Sequence, residues 1–148
     1  MSATMKRAMA AYGQQSLDVT VMSASPHQLI VLLFEGAIKA ANLAKMHLES
    51  KNIPAKAQEI SRAIAIIEDG LRLSLDKNTG GELAENLDAL YEYITRQFFE
   101  ANVKNDIEKI ENNIKLLTEL KESWMSIVPT LSEAQKAPPA HAVQHGKA

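Results

Sequence analysis

The chain has 148 residues, 46% of them apolar and 23% charged, a composition typical of one globular domain with one core. Its 16 basic and 18 acidic residues give a formal charge of -2, so no basic excess is available for nucleic acid. The absence of cysteine excludes disulfides, thiolate zinc sites and thiol catalysis. The longest apolar run, residues 29–34, is far shorter than the ~20 residues of a membrane helix. A signal peptide would require an apolar run directly after Lys6 and Arg7, and no such run follows them. We therefore expect a cytosolic protein that neither binds nucleic acid nor inserts into a membrane.

The first predicted helix begins at Ser25. Ser25 and Gln28 have the spacing of a capping box, and Pro26 takes the first helical position, where no N–H is needed. Asn52 and Pro54 interrupt the helix at its other end. Between these signals, apolar side chains recur at helical spacing and predict one buried stripe, made of Ile30, Leu33, Phe34, Ala37, Ala41, Ala44 and Leu48.

The second predicted helix runs from Pro54 to about Lys77. Residues 78–81 contain paired glycines, which end helices and turn chains, and we expect the break there. The predicted inward stripe of this helix consists of Ala57, Ile60, Ile64, Ile67, Leu71 and Leu75.

Two further helices follow this break. The third is predicted from its stripe, which consists of Leu83, Leu87, Leu90, Tyr91, Ile94, Phe98 and Ala101. Asn105 or Asp106 is expected to cap the fourth, with Glu108 in the first turn as the helix dipole favours, and Pro129 ends it. The fourth stripe consists of Ile107, Ile110, Ile114, Leu117, Trp124 and Val128.

The matched helix lengths predict the fold. Each helix has ~20–25 residues and is therefore roughly 30–37 Å long. Connections of a few residues place consecutive helices antiparallel. We therefore predict an all-α protein with an up-down-up-down four-helix bundle at residues 25–129. Residues 1–24 form a separate, mobile N-terminal segment, and residues 130–148, which contain Pro138 and Pro139, form a tail that we expect to be disordered.

Every predicted helix carries apolar residues that its core stripe does not need. One interpretation is that they are scattered surface residues or the flanks of a wide core. The other is that they line a surface that receives an amphipathic helix in a groove. On the second interpretation, the candidate binding residues are Leu32, Gly36, Leu43, Met46, Ile66, Leu73, Tyr93, Phe99, Leu116 and Leu120.

The sequence shows no assembled catalytic, metal or cofactor site. No Glu is followed by His three residues later, as in di-iron bundles, and the core stripes contain no acid. Gly80 and Gly81 lack the Lys-Ser/Thr context of a phosphate loop. An alternative is a histidine phosphotransfer module, a bundle that exposes one reactive His. His47 is its candidate, although Lys51 stands one residue later than in a His-x-x-Lys-Gly motif and no Gly follows it.

Particular strings, taken in order, resemble the flagellar export chaperones of the FliS family. The likeness covers about residues 8–128 with the spacing of that family. The strings that carry it are Tyr12, VMSASPHQLI at 21–30, LFEGA at 33–37, IEDGL at 67–71, LD at 75–76, GGE at 80–82, NL at 86–87, LYEY at 90–93, AN at 101–102 and Trp124.

This resemblance implies a partner. Members of the family bind the disordered C-terminal segment of new flagellin in the cytosol, prevent its premature polymerisation and deliver it to the export gate. The N-terminal segment covers part of the groove when flagellin is absent, which assigns Met9 and Tyr12 to a lid that also contacts the gate. We expect no enzyme activity, cofactor or metal. A weak homodimer through the same apolar surface is a third hypothesis, for the chain without flagellin.

Overall fold

The computed structural model describes residues 24–127, and all regular structure in this range is helical. The predicted all-α class is therefore confirmed. Met9, Tyr12 and the predicted tail lie outside the described residues. The elements are α1 (Pro26–Glu49), α2 (Ile53–Ile66), a π-helical turn (Ile67–Arg72) that continues α2, α3 (Lys77–Lys104) and α4 (Ile107–Met125).

The predicted caps of α1 and α4 are present. The Ser25 hydroxyl accepts the Gln28 amide at 3.1 Å, and the Gln28 side chain accepts the Ser25 amide at 2.9 Å, which completes the capping box. At α4, the Asp106 carboxylate accepts two amides of the first turn. Asn105, the other cap that the sequence allowed, has a left-handed φ of 51° and ends α3 instead.

The boundary between the second and third helices differs from the prediction. The α-helical part of α2 ends at Ile66, and the π-helical turn that follows ends at Arg72, before the predicted Lys77. The paired glycines lie inside the first turns of α3. There Gly81 has φ 55° and ψ -134°, a conformation that glycine adopts readily and that kinks the helix. A Cβ at Gly80 would meet the Ala84 Cβ at 2.7 Å, so both glycines are needed where they stand.

Side-chain contacts establish the antiparallel order of the helices. Each contact joins the start of one helix to the end of its neighbour. Between α1 and α4, His27 contacts Trp124 and Lys45 contacts Glu111. Lys56 contacts Asn102 between α2 and α3, and Lys109 contacts Gln97 between α3 and α4. Together with the short turn between α1 and α2, these contacts close a ring in which α4 returns to α1. The predicted up-down-up-down bundle is confirmed.

Most of the predicted core is buried or packed against buried residues. Buried members of the four stripes include Leu33, Ile67, Phe98 and Leu117, each 0% exposed. Leu83 is the main error, because it is 67% exposed. It follows the kink at Gly81, at an end of the bundle where the described helices do not cover it.

Lys56 is a buried cation that the sequence analysis did not predict. Its Nζ donates to the Asn102 backbone oxygen at 2.9 Å and to the Asn102 side-chain oxygen at 2.7 Å. These acceptors lie in the last turn of α3, where the helix dipole favours positive charge. Loss of hydration in this buried place lowers the pKa of Lys56. Lys56 therefore ties the start of α2 to the end of α3.

Candidate functional site

Apolar side chains line the groove between α3 and α4. We define the α3–α4 groove by Leu83, Leu90, Tyr93, Leu116, Leu120 and Ile127. Leu90, Leu116 and Leu120 are half-buried and pack against the core. The other three are exposed: Leu83 is 67% exposed, Tyr93 is 44% exposed and Ile127 is 47% exposed. The groove therefore has a half-buried apolar floor with open apolar rims.

Polar contacts between the two helices fix which faces form this groove. Lys109 Nζ donates to Gln97 Oε1 at 3.1 Å and forms an ion pair with Glu100 at 3.4 Å. Leu90 and Tyr93 precede Gln97 at helical spacing, so they share the face of α3 that meets α4. Leu116 and Leu120 share the face of Lys109 on α4 for the same reason.

The register of the groove follows from a buried hydrogen bond. Asn113 Nδ2 donates to the Ile94 carbonyl oxygen at 2.9 Å, which sets these two residues at one level. Because the helices are antiparallel, Leu116 then lies near the level of Leu90, and Leu120 lies between the levels of Leu90 and Leu83. From Tyr93 to Leu83, at 1.5 Å per residue, the groove is about 15 Å long. This length accepts roughly ten residues of a helical ligand.

α3 and α4 also pack less extensively on each other than α1 packs on α2 or on α4. The small buried side chains of α1, among them Ala37, Ala40, Ala41 and Ala44, permit close approach of its neighbours. The buried residues of α3 and α4 are mostly larger, and they include Tyr91, Ile94, Phe98, Ile110 and Leu117. The groove is therefore the least closed of these three seams.

Two of the predicted binding residues, Gly36 and Ile66, lie in the core. Gly36 is buried and Ile66 is 0% exposed, so their assignment to a surface groove is wrong. They are equally far from the turn that joins α1 and α2, and the antiparallel hairpin sets them at one level. α1 and α2 pack extensively on each other, and this packing leaves neither residue at the surface.

The other predicted residues do not all share a surface. Tyr93, Leu116 and Leu120 meet in the α3–α4 groove. Leu32 and Leu43 are half-buried on the edge of α1, and Met46 lies exposed on the same helix. Leu73 and Phe99 are exposed at 62% and 61%. Tyr93 and Phe99 point about 120° apart on α3, because each residue turns a helix by about 100°.

The sequence pattern did not predict every groove residue. Leu83 was assigned to the core stripe, and its neighbour Gly81 is the signal that could have corrected this, because a kink changes the direction of the following turn. Leu90 was also assigned to the core, although its half-buried position lets it serve both the core and the groove.

A stacked pair fixes one end of α4 to α1. Trp124 Nε1 donates to the His27 carbonyl oxygen at 3.0 Å, and His27 Nε2 donates to the Trp124 carbonyl oxygen at 2.9 Å. The two rings stack with centroids 5.0 Å apart. α4 is therefore held to α1 by reciprocal hydrogen bonds, at the end of the bundle where residues 1–23 join α1.

A charged network holds α3 from its other side. Arg72, at the end of the π-helical turn, forms ion pairs with Asp88 at 2.5 Å and with Glu68 at 3.2 Å. Lys77 adds a contact to Asp88 at 3.0 Å. Hydrogen bonds from Arg72 and then Lys77 lower the pKa of Asp88. This network fastens α3 to α2 and leaves the α4 side of α3 free for the groove.

The chemistry of the groove is that of apolar contact. Within residues 24–127, no cluster of three or more His, Asp or Glu side chains is placed to hold a metal ion. In the same range, no helix is long and apolar enough to cross a membrane. His47, the phosphotransfer candidate, lies half-buried in the last turn of α1, outside the groove.

Comparison with known proteins identifies the family. The family described as flagellar protein FliS matches residues 8–131. The flagellar secretion chaperone FliS of Salmonella typhimurium is 46% identical over 122 residues, 82% of this chain and 90% of the relative. FliSB of Pseudomonas aeruginosa is 43% identical over 121 residues, 82% and 95% of the two chains. FliS of Escherichia coli is 40% identical over 114 residues, 77% and 84% of the two chains.

The resemblance is thus confirmed, and the phosphotransfer alternative is not supported. The chain belongs to the FliS family of flagellar secretion chaperones, which are not enzymes.

Proposed function

We propose that this chaperone binds the disordered C-terminal segment of flagellin in the cytosol, prevents its premature polymerisation and delivers it to the flagellar export apparatus. The family supports a role in flagellar secretion. The observation that carries the proposal in this chain is the α3–α4 groove, a row of half-buried and exposed apolar side chains where two helices meet.

An amphipathic helix is the ligand that fits this groove best. Leu116 and Leu120 provide a half-buried floor on which apolar side chains of a ligand can lie, and Tyr93 offers an aromatic ring with a polar tip at the rim. Each Å² of apolar surface removed from water contributes about 25 cal/mol. A segment that folds as it binds gives up roughly 2–5 kcal/mol to ordering, which permits specific binding together with release.

Binding in this mode explains how polymerisation is prevented. A flagellin segment whose apolar side chains lie in the groove cannot present those side chains to neighbouring flagellin subunits. Because the contacts are apolar and spread over about 15 Å, no single bond has to be broken on release. Leu32, Leu43, Met46, Leu73 and Phe99 remain candidate contacts for further turns of a segment that wraps the bundle.

The N-terminal segment supplies a second element of the proposal. Residues 1–24 act as a tethered lid, in which Tyr12 and Met9 cover apolar surface until flagellin arrives and then contact the export gate. A tether gives such contacts an effective concentration near millimolar, so weak contacts suffice. A homodimer through the uncovered apolar surface is the alternative state of the free chaperone, and light scattering with and without a flagellin peptide separates the two.

The experiment is a titration of the chaperone with a peptide of the flagellin C-terminal segment. Leu120→Glu places a charge on the groove floor and should weaken binding at least tenfold, because central apolar anchors contribute most to affinity. Val103→Glu is the matched control, since it makes the same kind of change on α3, outside the groove, at a residue that is 66% exposed and is not a candidate contact. Circular dichroism should show unchanged helix content in both. Equal affinities for the two variants would overturn the assignment of the groove, and failure of wild type to bind would overturn the function.

A further inference from the structure

Asn113 places an amide inside the apolar layer between α3 and α4. It is 1% exposed, one helical turn from the fully buried Ile110 and Leu117. Its Nδ2 donates to the Ile94 carbonyl oxygen at 2.9 Å. Its Oδ1 is equally buried and has no hydrogen-bond partner among the described residues. A buried amide whose oxygen has no hydrogen-bond partner destabilises the contact in which it lies.

The position of this amide matters because of the helix pair that it joins. α3 and α4 pack on each other less extensively than α1 packs on its neighbours. The polar contacts of Lys109 at one end of the pair lie near the surface, where they add little. Meanwhile α4 is held to α1 by the His27–Trp124 pair. Separation of the α3–α4 seam therefore disrupts fewer contacts than separation of α1 from α2. The α2–α3 seam is held by the packing of the π-helical turn on α3, by the Arg72–Asp88 ion pair and by the buried Lys56.

We infer that Asn113 makes the α3–α4 seam the part of the bundle that opens first, so that the groove widens to admit a ligand helix. A leucine at this position would fill a similar volume and complete the apolar layer, and removal of both the donor and the acceptor leaves no unpaired group on α4. Asn113 thus lowers the local stability of the seam, and opening of the seam gives a ligand access to the groove floor. The opening itself is a property of the free protein; its role in admitting a ligand rests on the proposed function.

Native-state hydrogen exchange of the full chain tests this inference. When the seam opens, α4 loses part of the packing that supports its backbone hydrogen bonds. In wild type, the amides of α4 should therefore exchange faster than those of α1 and α2, through local unfolding smaller than global unfolding. Asn113→Leu should slow the α4 amides by roughly tenfold to a hundredfold, the factor that an unsatisfied buried group accounts for. Asn112→Leu is the matched control, because Asn112 is the exposed neighbour on the same helix, and it should leave the pattern unchanged.

Two outcomes would overturn the inference. One is a wild-type protein whose α4 amides exchange as slowly as those of α1, a result that stands whether or not the variant folds. The other is an Asn113→Leu variant that fails to fold or leaves α4 exchange unchanged. Stopped-flow mixing with the flagellin C-terminal peptide adds the functional arm: Asn113→Leu should slow association several-fold, while Asn112→Leu should not. A peptide that binds neither wild type nor variant would contradict the proposed function and leave the exchange result standing.

Discussion

Replacement of Tyr91 by Phe should change how the stability of the bundle depends on alkaline pH. Tyr91 is 3% exposed, and its ring contacts that of Phe34 with centroids 6.4 Å apart. Burial raises the pKa of Tyr91 from 10.0 to about 12, because the charged phenolate would lose its hydration inside the core. The folded protein therefore keeps the phenol proton over a range in which the unfolded chain has lost it.

The sign and size of the effect follow from this shift. A pKa that is raised on folding contributes stability that is fully present below the unfolded value and is lost as pH rises through the folded value. The window here is from pH 10 to about 12. A shift of about two units, at 1.36 kcal/mol per unit, corresponds to roughly 2.7 kcal/mol of unfolding free energy.

Urea denaturation followed by circular dichroism, at steps from about pH 8 to about pH 12, measures this loss. Lysines titrate in the same range, so the informative quantity is the difference between wild type and Tyr91→Phe. That difference should change by roughly 2–3 kcal/mol across the window. Tyr93→Phe is the control, since it removes an exposed phenol two residues away and should follow wild type. Parallel curves for wild type and Tyr91→Phe would refute the burial of a neutral phenol at this position.

Three further predictions concern the core, the charged network and the lid. Ile67→Ala should lower the unfolding free energy by about 2–5 kcal/mol in chemical denaturation, whereas Leu73→Ala, at an exposed position, should change it little. Asp88→Asn should reduce stability at neutral pH, and the difference from wild type should vanish in acid. The stability that accompanies the lowered pKa of Asp88 is full above the unfolded pKa and is lost as pH falls through the folded pKa; a difference that persists in acid would contradict the ion pairs. Deletion of residues 1–14 should speed association with the flagellin peptide and leave the melting temperature almost unchanged, and equal association rates would remove the support for a lid.

The helices and most of their inward faces could be predicted from the sequence because their signals are local. The capping box at Ser25 and the cap at Asp106 depend on residues within one turn. Spacing at three and four residues selected Leu33, Ile67 and Phe98 without knowledge of any partner helix. The FliS-like strings then placed the chain in its family.

The errors arise where burial depends on a neighbouring helix. Ile66 was assigned to the surface because a stripe read from one helix does not show which of its faces a second helix covers. Lys56 and Asn113 could not be recognised as buried, since polar residues are assigned to the solvent side unless the acceptors that satisfy them are known. Leu83 was misplaced because the kink at Gly81 changes the direction of the first turns of α3.

The central claim is that the α3–α4 groove receives the flagellin C-terminal segment. Methyl-labelled chaperone, mixed with an unlabelled peptide of that segment, tests this most directly by NMR. We expect intermolecular contacts from the methyl groups of Leu116, Leu120 and Leu90 to the peptide. Binding of the peptide without contacts to these methyl groups, and with contacts to those of Leu32 and Leu43 on α1 instead, would contradict the claim.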